Sequence, residues 1–127
     1  MDFFKEMLVV SAGGALGTAL RFGVNALFMR WTPENVVWPT LAVNVIGSFL
    51  ITLVAELAAG GLLSPQWRVF LTTGIMGGFT TYSAFNHAMV EAIKRGDYGN
   101  AAMNGALTVV LCLAAGFAGL YAASKLA

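Results

Sequence analysis

The chain reads as an all-α membrane protein: four transmembrane helices in a single domain spanning residues 1–127. Two observations predict this. The first is composition, with 58% hydrophobic residues and only 10% charged. Soluble domains carry roughly 25% charged residues. A soluble fold has too little interior to hide this much apolar side chain, so its natural solvent is lipid. The second is segmentation. A helix that crosses a bilayer needs about 20 mostly apolar residues, and segments at about 7–29, 37–59, 69–91 and 101–124 meet that rule. The connections between them, about ten residues or fewer, leave no room for a soluble domain.

The first segment holds Gly13 and Gly17, a spacing of small residues that suits close helix packing, and it is interrupted by Arg21. A cation at membrane depth is costly and normally faces protein, carbonyls or water. Arg21 can snorkel, clamp exposed carbonyls, or sit at a pore mouth. A cleaved leader fits the N-terminus poorly, because Asp2, Lys5 and Glu6 open the chain and the apolar run continues past any small-residue site. The connection Arg30–Pro39, with Trp31 and Trp38, reads as an interfacial loop with aromatic anchors.

The second segment carries one amide, Asn44, and one acid, Glu56. An Asn in a membrane helix serves as an interhelical hydrogen bond or as an uncharged donor to an anion. Glu56 lies near the end of its segment and is expected at the interface. The glycines, serine and proline of Gly60–Trp67 stop one helix and restart another.

The third segment contains GGFTTYSAF, residues 77–85. Gly74, Gly77 and Gly78 predict a helix broken at the Gly77-Gly78 region, with Thr80, Thr81 and Ser83 satisfying freed backbone groups. Irregular backbone at membrane depth is tolerated only where it is buried in protein or lines a cavity, and such breaks commonly build ion sites from carbonyls. Tyr82 and Phe85 share a helical face, and an aromatic ring edge carries partial positive charge. The stretch therefore offers carbonyls to a cation and ring edges to an anion. His87 and Glu91, one turn apart, lack the further ligands a metal would need. On the fourth segment Asn104, Thr108 and Cys112 recur every four residues and stack on one face, as interhelical bonding or a cavity lining requires. Cys112 is the only cysteine, so no intrachain disulfide forms.

Four helices put both termini on one side. Lys5, Arg68 and Lys125 then face the terminal side, and Arg30, Lys94 and Arg95 the opposite side. Lys/Arg imbalance in short loops orients membrane proteins, and here it is absent. Either something else orients the chain, or it inserts both ways and pairs antiparallel with itself, building an inverted repeat from two copies.

Through GGALGTALRF, TLAVNVIGSF, TTGIMGGFTTYSAF and RGDYGNA, the chain resembles the Fluc (CrcB) family of bacterial fluoride channels nearly end to end. The resemblance implies passive fluoride export across the bacterial inner membrane by an antiparallel homodimer with two pores. It implies a structural sodium ion held by the carbonyls of Gly77 and Thr80 from both subunits. It puts Asn44, Tyr82, Phe85, Ser83, Thr108, Asn104 and Cys112 along the fluoride pore, with Arg21, Gly74 and Gly78 as structural residues. The chain departs from the family pattern at Tyr82 (usually phenylalanine), Ala84 (threonine), Ala88 (often glutamate), Cys112 (serine) and Asn104 (tyrosine or another residue). No catalytic nucleophile, base or cofactor motif is visible, and no nucleic-acid partner is expected. Two other readings stay open: a small dual-topology proton-coupled exporter using Glu56, and a subunit that conducts only with a different partner chain.

Overall fold

The computed structural model describes residues 2–32 and 37–127. Helix α1 spans Phe3–Met29 and α2 spans Val37–Ala59. Pro65 to Phe79 winds as one rod, α3, in three parts: α-helical Pro65–Val69, π-helical Phe70–Met76 and α-helical Gly77–Phe79. Helix α4 spans Tyr82–Lys94 and α5 spans Tyr98–Leu126. Among the described residues there is no strand. Helices α1, α2 and α5, with 27, 23 and 29 residues, are each long and apolar enough to cross a bilayer at about 1.5 Å of rise per residue. The third apolar segment is divided between α3 and α4. Of the interfacial loop read at Arg30–Pro39, residues 33–36 lie outside the described residues.

Local chemistry sets the ends. Asp2 caps α1 by accepting from the Lys5 N–H at 2.9 Å. Ser64 caps α3 with Pro65 in its first turn, a position where proline loses no helical bond. Asp97 caps α5. Gly61 and Gly96 take φ of 81° and 75°, the left-handed conformation that ends a helix.

The break in the third segment falls beyond the glycines expected to make it. Gly77 and Gly78 are helical, and the extended residues are Thr80 (φ −86°, ψ 159°) and Thr81 (φ −153°, ψ 122°). Gly74 and Gly78 instead let two backbones touch. A Cβ on Gly78 would collide with the Gly14 carbonyl, and one on Gly17 with the Ile75 carbonyl. Gly13 and Gly74 meet through their own backbones. The small-residue spacing of α1 is therefore a packing seam against α3, the close approach expected of it.

Helices α2 and α5 form the second seam. Thr52 touches Gly116, and the Phe49 and Leu53 backbones lie against Gly119. Asn44 and Ser48 stand beside Thr108 and Cys112, and Thr52 and Glu56 beside Gly116 and Leu120, so residue numbers rise together and the two helices run parallel. The core gathers where α1, α2 and α3 cross: Val43, Met76 and Phe79, with Val24, Leu50 and Ile75 packed around them. Leu16, Leu20 and Phe22 on α1 face outward, as a lipid-facing helix requires.

Candidate functional site

The Thr80–Thr81 break is held from α2. The Asn44 carboxamide donates through Nδ2 to the Thr81 carbonyl at 2.9 Å and accepts at Oδ1 from the Thr81 N–H at 2.9 Å. It thus presents Thr81 with the donor–acceptor pair of a peptide group. A continuous helix would give the Thr81 N–H to the Gly77 carbonyl, so the Asn44 bond leaves that carbonyl outside the ladder. Arg21 takes the next carbonyl, Nε donating to the Gly78 oxygen at 3.0 Å. Of the three roles open to this arginine, the structure shows the clamp. Its charge also lies at the carbonyl end of α3, where a cation is favoured by the helix dipole. Thr80 Oγ1 donates to the Met76 carbonyl, and Thr81 Oγ1 accepts from the Ala84 N–H, capping α4.

Beside this break, α2, α4 and α5 line an open cleft of about 340 Å³. Of the residues expected along a pore, Asn44, Tyr82, Phe85, Thr108 and Cys112 line it. Tyr82 and Phe85 meet edge-to-face, centroids 5.8 Å apart. Tyr82 is 77% exposed, and its hydroxyl bonds no described residue. Two expected residues stand apart from the lining. Ser83 is exposed, with Oγ 3.4 Å from Thr81 Oγ1. Asn104 is buried and its Oδ1 accepts from Thr108 Oγ1 at 3.4 Å.

The lining also includes Gly47, Ser48, Ile51, Thr80, Thr81 and Val109, which the sequence reading does not assign to a pore. Ser48 had a legible signal. Asn44, Ser48, Thr52 and Glu56 repeat every four residues, a polar column on α2 facing Thr108 and Cys112 on α5. Ser48 Oγ donates to the Asn44 carbonyl at 2.6 Å, and Thr52 Oγ1 to the Ser48 carbonyl at 3.2 Å. Among the described residues no three metal-ligating side chains converge; Glu91 pairs with Lys94 at 3.0 Å. Glu56 is exposed, three residues before α2 ends at Ala59.

Comparison with known proteins gives the family. The family model described as CrcB-like protein, Camphor Resistance (CrcB), matches residues 8–120. The fluoride-specific ion channel FluC of Sorangium cellulosum is 43% identical over 118 residues, covering 92% of this chain and 93% of its own. The FluC of Agrobacterium fabrum is 45% identical over 116 residues, covering 91% and 93%. A FluC of Thermus thermophilus is 41% identical over 97 residues, covering 76% and 78%. A match of this extent, across both glycine seams and the clamped break, makes the chain a member of the CrcB-like family.

Proposed function

We propose that the protein is a passive fluoride-selective channel that exports fluoride from the cytoplasm across the bacterial inner membrane. One observation carries this: the cleft brings together an amide, hydroxyls and two ring edges, with no formal charge in its lining. Fluoride is small and tightly hydrated. Its shell must be replaced by donors that hold it without trapping it, since conduction needs binding weak enough to leave. The relatives named above are fluoride-specific ion channels. Purified chain in liposomes loaded with fluoride or chloride tests the proposal with ion electrodes. Fluoride release well above chloride release is the expected result. Release no faster than from empty liposomes would sink it and leave the reading that a different partner chain is required.

In this reading α3 and α4 together make a fourth crossing, and two copies pair antiparallel. The three-to-three loop charge balance supports this. A cysteine placed in the Lys94–Asn100 connection, on a Cys112-free background, should react with impermeant reagent from both sides of the membrane. Reaction from one side in all molecules would rule the arrangement out. The carbonyls of Gly77 and Thr80 fit a structural sodium ion: Gly77 is freed by the Asn44 bond, and oxygen donors without an acid suit a hard monovalent cation. Bound there, sodium would supply positive charge that ties the breaks of two copies together. Melting temperature should then rise with sodium and stay unchanged with N-methylglucamine at equal ionic strength; equal melting in both would remove the site.

A further inference from the structure

The polar column on α2 continues beyond the cleft at the break. Ser48 lines that cleft, while Thr52 and Glu56 line a second one of about 250 Å³ against Leu113, Gly116 and Phe117 of α5. The two clefts lie in series along one α2–α5 groove, linked by the bond from Thr52 Oγ1 to the Ser48 carbonyl. Glu56 stands at the outer end, one turn before α2 stops at Ala59. The α5 residues opposite it are uncharged. Lys125 lies over the Tyr121 ring at 5.1 Å, and the ion pairs among the described residues are Lys5–Asp2 and Lys94–Glu91, neither of which involves Glu56.

We infer that the α2–α5 groove carries the anion from the break to the surface, and that the Glu56 carboxylate at its mouth throttles fluoride passage by charge repulsion. The inference rests on the fluoride-channel reading above. A unit negative charge beside the path lowers anion occupancy there. The hydroxyls of Ser48 and Thr52 leave the throttle effective, since each commits its one proton to an α2 carbonyl and offers the anion a donor only by turning away from it. The carboxylate is exposed, so its removal leaves packing intact. The effect is electrostatic, and salt therefore screens it: the Debye length falls from about 10 Å at 0.1 M to about 3 Å at 1 M.

Fluoride efflux from liposomes at low ionic strength tests this with three proteins. Glu56→Gln should conduct about threefold faster than the parent, the factor for one unit charge a few ångström from an aqueous path. Glu56→Asp, which keeps the charge, should match the parent. In about 1 M potassium gluconate the Glu56→Gln advantage should vanish, because screening removes the repulsion. An unchanged or slower Glu56→Gln flux at low salt overturns the inference while leaving the channel reading standing. So does a faster flux that salt does not diminish, since that marks a steric effect. A parent protein that releases no fluoride fails at the earlier step and removes both.

Discussion

An Asn44→Ala protein is expected to lose fluoride flux by at least about tenfold, because one side chain both shapes the break and faces the anion. Truncation removes the two hydrogen bonds that hold Thr81 extended. At about 1 kcal/mol net for each, the loss of stability is about 2 kcal/mol, visible as a melting temperature lower by several degrees. Asn44→Asp separates the two roles. Its carboxylate still accepts from the Thr81 N–H, so part of the stability returns. It cannot donate to the Thr81 carbonyl, and it places a negative charge in the anion's cleft, so flux stays low. Liposome efflux and thermal melting on the same preparations check both. Parental flux in Asn44→Ala would show that the break and the path are unconnected.

Replacing Phe85 with isoleucine should cut flux by about tenfold while the protein assembles normally. An aliphatic side chain fills the space without the positive ring edge that a phenyl offers. The companion change is Tyr82→Phe. The Tyr82 hydroxyl bonds no described residue and stands at the same cleft, where a strong donor deepens anion binding and slows release. Removing it should raise flux about twofold, since weaker sites release ions faster. A Phe85→Ile protein that eluted as the parent does and conducted at the parental rate would move the path away from these rings.

The spans were legible in the sequence because apolar run length is a property of the chain alone. The second segment, 37–59, coincides with Val37–Ala59. The seam of Gly13 and Gly17 was legible for a related reason, since spacing on one helix reports what that helix can approach. The position of the break was not. Glycine weakens a helix in water, but Gly74 and Gly78 sit against α1 backbone, where the absence of a side chain matters more inside a helix than outside one. The break two residues later is set by Asn44, 37 positions away in sequence, and local propensity carries no trace of such a contact. The amide was recognisable as a hydrogen-bonding group; its partner was not. The α2 column was readable by its period of four, yet Ser48 and Thr52 are ordinary residues taken singly, and only the facing groove gives the pattern a meaning.

The π-helical run Phe70–Met76 has a consequence for changes of length. Each α-helical residue turns the chain by about 100°. A run whose bonds reach to the fifth residue has, in effect, already taken in one residue more than an α-helix needs there. Deleting a single residue between 70 and 76 would let the rod relax to ordinary α-helix with its hydrogen bonds intact. Because the π-helical run absorbs that extra residue locally, the chain beyond it would keep its phase, with the Thr81 backbone still opposite the Asn44 amide. A deletion in the α-helical Gly77–Phe79 that follows has no such slack: it would turn the far half by about 100° and swing Tyr82 and Phe85 off the cleft. In this segment, then, length is under a different constraint from composition: the irregular turn is the one place where a residue can be given up without re-aiming what lies beyond it.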